Sequence, residues 1–151
     1  MSIEGIELRH ITSLSDEILP LVIEAEGQGH QSMRRLQDGW IAGMNRFQGP
    51  GEFLLGLYGD ERLMAVGGLN TAPYSASSGI SRLRHVYVIA SARRTGIGTR
   101  LVASIMEAAA QSFSIMRLRT KTAEAAAFYE TLGFLPTTEG AATHTIRFHA
   151  T

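Results

Sequence analysis

Two glycines and two arginines stand where a strand-like run of residues meets a helix-like run. The stretch reads VYVIASARRTGIGTR from Val86 to Arg100. Gly96 and Gly98 allow a ligand to approach the main chain closely, and the first amides of the following helix lack intrahelical partners. A helix N-terminus carries partial positive charge, to which Arg93 and Arg94 add. These residue types in this order predict a binding loop for a phosphate or pyrophosphate.

Three nucleotide-binding patterns compete for this loop. A phosphate-binding loop of the G-x-x-x-x-G-K-[ST] type requires Gly-Lys, which is missing here. A dinucleotide-binding loop requires G-x-G-x-x-G, but Leu101 stands where the third glycine belongs. Arg119 could contact a 2′-phosphate, yet too few residues follow it to form the second half of such a fold. The remaining pattern, R-x-x-G-x-G, is present from Arg93 to Gly98.

A second motif favours the last of these patterns. Residues 125 to 134 read AAAFYETLGF, about 30 residues after the loop. Together, R-x-x-G-x-G and A-x-x-F-Y-x-x-x-G-F resemble the two signatures of the GNAT-type N-acetyltransferases, which bind acetyl-CoA. Tyr87-Val88 resembles the family's Y-V-x-P-x-x-R run, with Ala90 in place of the proline. The specific resemblance covers residues 80 to 137, and the order of elements extends it to the rest of the chain.

The resemblance implies a fold and a cofactor site. The fold is α/β (α+β), the GNAT fold: a mixed, mostly antiparallel twisted sheet with a parallel, splayed central strand pair and helices on both faces. The main chain of Val86, Tyr87 and Val88 would hold the pantetheine arm, and an amide near Val88 would polarise the thioester carbonyl. Arg93 would stand at the loop entrance, and the pyrophosphate would bind the amides of Arg94, Thr95, Gly96, Ile97, Gly98 and Thr99.

The resemblance also implies that a primary amine of a small-molecule or peptide acceptor attacks the thioester directly, without an enzyme nucleophile. Tyr129 stands at the family's general-acid position, and a phenol stays protonated at pH 7. The general base is open, because Arg82 stands where many relatives have a glutamate. Thr122 likewise stands where relatives often have an asparagine that contacts the cofactor. The candidates for the base are Glu24, Glu26, His85, His144 or a water molecule.

The departure at Arg82 leaves a second class of function open. A non-catalytic acyl-CoA-binding module, such as a sensor, would bind CoA but transfer nothing to an amine. Acceptor specificity is expected in residues 24 to 35 and in the loops 70 to 79 and 137 to 144, which carry no decisive motif. The identity of the acceptor therefore stays open.

Hydrophobic periodicity predicts elements in the order β-α-α-β-β-β-α-β-α-β-β. The segment 80–120 is a strand–helix–strand crossover, so its two strands should be parallel. Thr71 to Gly79 is predicted to be a surface loop. Trp40 and Met44 are expected in the core, and Arg34 and Arg35 on a solvated face. The predicted strands are 6–11, 53–58, 63–69, 80–89, 115–120, 134–137 and 143–149, and the predicted helices are 15–26, 32–48, 96–111 and 123–132.

Length and composition limit the remaining function classes. The 151 residues fit one domain spanning 1–151. Lys+Arg and Asp+Glu balance at 14 each, which argues against nucleic acid or a membrane surface as partner. The chain has no cysteine, which excludes disulfides and fits a cytoplasmic location. The five histidines show no metal spacing, so no metal is expected. An apolar sheet edge or helix face could support a homodimer.

Overall fold

The structure, a computed structural model, describes residues 5–72 and 79–148. Most of the predicted loop 71–79 and the predicted strand end at His149 lie outside the described residues. The described elements are β1 Glu7–His10, α1 Leu19–Gly27, α2 Ser32–Ile41, β2 Phe53–Gly59, β3 Arg62–Thr71, β4 Ile80–Val88, α3 Ile97–Ala109, β5 Ile115–Leu118, α4 Ala123–Thr131, β6 Leu135–Pro136 and β7 His144–Arg147. The predicted element order and the predicted fold class are both confirmed.

The strands form one mixed, open sheet in the order β1-β2-β3-β4-β5-β7-β6. Neighbours are antiparallel except for β4 and β5, which are parallel as the crossover predicts. Apolar side chains of α3 and α4 pack on one face, among them Leu101, Ile105 and Tyr129. Those of α1 and α2 pack on the other face, among them Val22 and Leu36. Strand β4 therefore lies between two separate hydrophobic clusters.

The parallel strands β4 and β5 pair over only part of their length. Their register joins Ile80 to Ile115, Ser81 to Met116 and Arg82 to Arg117. β4 then continues to Val88, whereas β5 ends at Leu118. The carboxyl half of β4 therefore has β3 on one side and an open gap on the other.

A β-bulge interrupts β4 at the start of this gap. Val66 of β3 pairs with Tyr87 and Gly68 with Arg84, so one residue of β3, Gly67, lies opposite both His85 and Val86. His85 has a φ of 58°, in the left-handed region that non-glycine residues rarely adopt. The bulge changes which side chains of β4 face each layer of helices.

Gly67 and Gly68 allow close packing on both faces of β3. A Cβ on Gly67 would lie 2.8 Å from Ile105 of α3, and one on Gly68 would lie 2.4 Å from the Phe47 ring on the opposite face. Both distances are too short for real atoms. The two glycines therefore hold α3 on one face and Phe47 on the other close against the strand.

The second helix is shorter than predicted. Helix α2 ends at Ile41, and Arg46 Nε donates to the Trp40 carbonyl at 2.9 Å as the chain turns away through Gly43, with a φ of 73°. Trp40 is buried and stacks on Phe47, as expected for a core residue. The prediction for Met44 is wrong: its side chain is 83% exposed because the helix has ended before it.

Candidate functional site

The glycine loop leads directly into a helix of 13 residues, α3. Gly96 is its N-cap, with a φ of 89° in the left-handed region, and no side chain caps the helix. Among the described residues, none accepts a hydrogen bond from the amides of residues 94 to 99. Six consecutive main-chain donors at a helix N-terminus form a site suited to an anion.

Three elements converge beside this loop. A Cβ on Gly98 would lie 3.5 Å from the Val88 side chain of β4 and 3.6 Å from the Phe128 ring of α4. Sequence reasoning did not single out the Phe128 contact. Ile89 N donates to Met64 O at 2.9 Å, and alternate residues of an antiparallel strand bond to the same neighbour. The Val88 amide therefore points away from β3, into the open gap beside the carboxyl half of β4.

Arg93 turns away from the glycine loop and back towards β4. Its Nε donates to the Val88 carbonyl at 3.0 Å, and its Nη2 donates to Gln28 Oε1 of α1 at 2.9 Å. Its guanidinium carbon lies 5.4 Å from the centre of the Tyr87 ring. Arg93 thus connects the end of α1 to the end of β4 by hydrogen bonds. It binds the Val88 carbonyl, and the Val88 amide stays available to donate a hydrogen bond to a ligand.

Tyr129 lies on α4, next to Phe128, whose ring approaches Gly98. Its side chain is buried in the α3/α4 cluster, and burial raises the pKa of its hydroxyl to about 12. Among the described residues, its hydroxyl has no hydrogen-bond partner. The Phe128 ring also packs against this cluster, and the two rings meet edge to face at 5.1 Å.

Thr122, expected near the cofactor, caps α4. Its Oγ1 accepts a hydrogen bond from the Ala125 amide at 3.1 Å. A threonine is a good N-cap, so this residue has a local structural role.

Glu24 and Glu26 lie in different environments on α1. Glu24 Oε1 accepts hydrogen bonds from the Tyr87 hydroxyl at 2.5 Å and from the Ala90 amide at 2.8 Å. Burial, with a smaller contribution from the Glu24 bond, raises the pKa of Tyr87 to about 12. Glu26 instead forms a two-bond ion pair with Arg34, at 3.0 Å and 2.8 Å, and this arginine lowers its pKa. The ion pair therefore makes Glu26 a weak proton acceptor.

The two candidate histidines lie on opposite faces of the sheet. His85, in the bulge, faces α2, and its Nδ1 lies 2.9 Å from Ser32 Oγ and 3.1 Å from the Ser32 carbonyl. Burial, reinforced by Arg84, lowers its pKa to about 4, so the ring is neutral at pH 7. His144 is paired with β5 residue Leu118 and buried on the α3/α4 face, with Nε2 2.9 Å from Glu130 Oε2.

A cavity of about 230 Å³ opens beside the bulge, between α2 and β4. Arg35, Arg84, His85, Asn45 and Phe47 are among its lining residues. Arg35 is exposed as predicted, yet it borders this cavity. Sequence reasoning did not find Arg84 as a site residue. Its spacing from Arg82 was the available signal, because residues two apart on a strand lie on the same face.

A second cavity, of about 520 Å³, lies between α1 and the turn that joins β2 to β3. Its lining includes the acidic residues Glu17, Glu24, Asp60 and Glu61. It touches the chain after β4 at Ile89 and Ser91 and does not include the bulge. The two cavities therefore differ in charge and in position along β4.

The family model described as the acetyltransferase (GNAT) domain matches residues 50–136, more than half of the chain. The chain belongs to the GNAT acetyltransferase family. The match includes the glycine loop, the Tyr129 motif and the gap between β4 and β5. No curated protein matches the sequence.

Solved structures with this GNAT fold cover nearly the whole chain. A protein of Exiguobacterium sp. 255-15, provisionally described as an acetyltransferase, is 27% identical with a TM-score of 0.82, over 94% of this chain and 93% of that one. An acetyltransferase of Streptococcus agalactiae 2603 is 16% identical, with a TM-score of 0.75 over 96% and 99%. The N-acetylglutamate synthase of Neisseria gonorrhoeae, solved with coenzyme A and N-acetylglutamate, is 19% identical, with a TM-score of 0.71 over 96% and 35%.

Two further features concern the described part of this GNAT domain. No helix within it has the length and apolar character that a membrane crossing requires. Residues 5–72 and 79–148 also contain no group of three or more histidine or acidic side chains arranged to hold a metal ion.

Proposed function

We propose that the protein is an acetyl-CoA-dependent N-acetyltransferase that transfers an acetyl group to a primary amine in a ternary complex. The main support is the run of unpaired amides from 94 to 99 beside Val88 and Phe128, in a chain of the GNAT family. The N. gonorrhoeae N-acetylglutamate synthase, solved with coenzyme A and N-acetylglutamate, shares the fold. This likeness also supports CoA as the co-substrate here.

The CoA site would consist mainly of main-chain groups. The amides of residues 94 to 99 and the N-terminus of α3 would hold the pyrophosphate, and a helix N-terminus favours a negative charge by roughly 0.3–1 kcal/mol. Gly98 fits this role, because a larger side chain there would occupy the space between Val88 and Phe128. The arm of the cofactor would then follow β4 from Val88 towards Val86, along the open gap.

The chemistry requires one bond to form and one to break. Acetyl-CoA supplies the acetyl group as a thioester. The amine nitrogen attacks the acetyl carbonyl carbon, a C–N bond forms, the C–S bond breaks, the amine loses a proton and the sulfur gains one. The Val88 amide, which points into the gap, would donate to the carbonyl oxygen as negative charge develops there.

Tyr129 would supply the proton to the sulfur. Its pKa of about 12 keeps it protonated throughout the neutral range. A free thiol has a pKa of about 8.5, but the burial that raises the pKa of Tyr129 also raises that of a thiolate placed beside it. The two groups therefore remain close enough in acidity for proton transfer.

Glu24 is the proposed proton acceptor. It lies on the α1/α2 face and accepts a hydrogen bond from the Tyr87 hydroxyl. Tyr87 is two residues from the bulge at His85. Among the described residues, no basic side chain forms an ion pair with Glu24, in contrast to Glu26. The Tyr87 hydroxyl could pass a proton to Glu24 as it receives one from the amine or from water. Glu24→Gln should therefore lower kcat.

Two measurements test the proposed function. Isothermal titration with CoA establishes binding, and a free-thiol assay with acetyl-CoA against a panel of amines establishes transfer. Binding together with amine-dependent thiol release would support the transferase. Binding without thiol release for any amine would identify the chain as a non-catalytic acyl-CoA-binding module. Absence of CoA binding would overturn both.

A further inference from the structure

Two arginines line the cavity between α2 and β4, and a third lies close enough to act on one of them electrostatically. Arg35 and Arg84 line it, and Arg82 lies two residues before Arg84 on the same face of β4. Within residues 5–72 and 79–148, no group forms a hydrogen bond or ion pair with the guanidinium of any of the three. Residues 73–78, PYSASS, carry no acidic side chain either.

The positive charge of this cavity is partly desolvated. Arg84 is half-buried, and burial followed by repulsion from Arg82 lowers its pKa. Glu52 acts on Arg84 from a distance, but its two carboxylate oxygens accept the amides of Gly49 and Thr71. A half-buried guanidinium without a paired carboxylate is costly unless a ligand supplies the missing anion.

The cavity has further groups that suit a small polar ligand. Asn45 lines it and exchanges hydrogen bonds of 2.8 Å and 3.0 Å with Asn70, which holds the amide in place. The Phe47 ring forms an apolar wall and meets the His85 ring edge to face at 6.3 Å. The volume of about 230 Å³ holds a group of several heavy atoms.

The cavity lies at the reacting end of the proposed cofactor site. The pyrophosphate would bind at residues 94 to 99, and the arm would run back along β4 past Val88 and Val86. Its acetyl end therefore approaches the bulge, where His85 lines the cavity. From the bulge to Arg84 is one residue, or about 3.3 Å along a strand. A ligand in the cavity would lie beside the acetyl group.

We propose that this cavity binds an anionic group of the acceptor, a carboxylate or a phosphate, through Arg84 and Arg35. The proposal rests on the proposed function, and it narrows the acceptor to an amine that carries a negative charge a few bonds away. Arginine suits this role because its planar fork can donate two parallel hydrogen bonds to one carboxylate or phosphate. Polyamines and other purely cationic amines would be repelled by the same three arginines.

The first experiment measures anion binding without any reaction. Trp40 is the single tryptophan of the chain, and it stacks on Phe47 of the cavity wall, so its fluorescence reports on the site. Glutarate and inorganic phosphate are titrated separately into the CoA-saturated protein. We expect one of them to bind in the wild type. Arg84→Gln should weaken that binding about 10- to 100-fold, as for the loss of a hydrogen bond to a charged group.

The second experiment compares amines that differ in charge. The acceptors are 3-aminopropanoate, 4-aminobutanoate, glutamate, the carboxamides of the first two, 2-aminoethyl phosphate, ethanolamine and putrescine. We expect a higher kcat/KM for the carboxylates or the phosphate than for the matched neutral amines. Arg84→Gln should raise KM for the preferred anionic amine about 10-fold or more, with little change for the neutral amines.

Control variants keep the outcomes separate. Arg147→Gln, at an exposed position of β7, should leave anion binding and KM unchanged. Arg35→Gln, at an exposed position of α2, repeats the test if Arg84→Gln does not fold. Equal anion affinity in wild type and both cavity variants, or a preference for neutral amines or putrescine, would overturn the proposal while CoA binding and acetyl transfer stand. Absence of CoA binding would instead overturn the proposed function.

Discussion

The two faces of strand β4 present different kinds of chemical group to a ligand. On the α3/α4 face, the groups that converge are main-chain amides, a glycine and the aromatic rings of Phe128 and Tyr129. On the α1/α2 face, they are charged or titratable side chains: Arg84 and His85 line the cavity beside the bulge, and Glu24 lines the second cavity and binds the Tyr87 hydroxyl. A site made from backbone is similar in every chain with the same loop. A site made from side chains can differ from one chain to the next, so this difference separates the proposed CoA site from the proposed acceptor site.

The largest expected effect is a loss of CoA affinity and concerns the α3/α4 face alone. Gly98→Asp should weaken CoA binding by about 1,000-fold, because two like charges about 4 Å apart near a protein surface repel by about 4 kcal/mol. Gly98→Asn has nearly the same size without the charge and should weaken binding much less. Isothermal titration of both variants separates repulsion from bulk. An unchanged affinity in the aspartate variant would remove residues 94 to 99 as the pyrophosphate site.

The next effect concerns chemistry on the same face. Tyr129→Phe should lower kcat by about 100-fold, within the usual range for a general acid, while CoA affinity stays within twofold. The ring remains in its cluster, so the fold should be preserved. Steady-state kinetics with the best amine and a CoA titration provide the measurement. A variant with the wild-type kcat would show that Tyr129 is only a packing residue.

These two predictions depend on residues that the sequence alone identifies. R-x-x-G-x-G and AAAFYETLGF have fixed spacing, and the helix start and the α4 packing follow from local pattern. The side chains of the α1/α2 face have no such spacing. Arg35, Asn45 and Arg84 are far apart along the chain and meet only because α2 lies over a bulged β4. The bulge depends on pairing with Gly67, which a one-dimensional pattern does not record.

Helix ends illustrate the same limit. Apolar spacing correctly predicts α2 from Ser32 and the burial of Trp40. It fails for Met44, because the helix ends where Gly43 takes a positive φ and Arg46 binds the Trp40 carbonyl. Whether a chain turns at a given glycine depends on such tertiary contacts.

The α1/α2 face should respond to pH through His85. Its folded pKa of about 4 lies below the unfolded value of 6.5, so the folded protein binds fewer protons between these values. Stability is therefore full above about pH 6.5 and falls as the pH drops towards 4, by about 2 kcal/mol between pH 7 and pH 5. Burial, reinforced by the charges of Arg84, Arg82 and Arg35, keeps the ring neutral.

Urea denaturation at pH 7 and pH 5 measures this dependence. In His85→Gln, the decrease in the free energy of unfolding between pH 7 and pH 5 should be about 2 kcal/mol smaller than in the wild type. In His30→Gln, which changes an exposed histidine, the decrease should equal that of the wild type. If the wild type and His85→Gln lose the same stability between the two pH values, His85 is not held neutral in the folded state.

The smallest expected effect on stability and CoA affinity tests the connection between α1 and β4. Tyr87→Phe removes the hydrogen bond to Glu24 and should lower the free energy of unfolding by about 1 kcal/mol. CoA affinity should stay within twofold, because the Tyr87 hydroxyl binds Glu24 on the α1/α2 face, away from the gap in which the arm of CoA would lie. Denaturation and titration on the same samples give both values. A large loss of CoA affinity would mean that the two faces of β4 are coupled.

Gly67 and Gly68 have a consequence for motion. Because α3 and Phe47 are both held tightly against β3, the first four strands and α3 should move as one rigid body. β5 is joined to β4 by only three residue pairs. Opening and closing of the gap should therefore occur by a hinge movement of β5, α4, β6 and β7. Product release would then be governed by the C-terminal quarter of the chain.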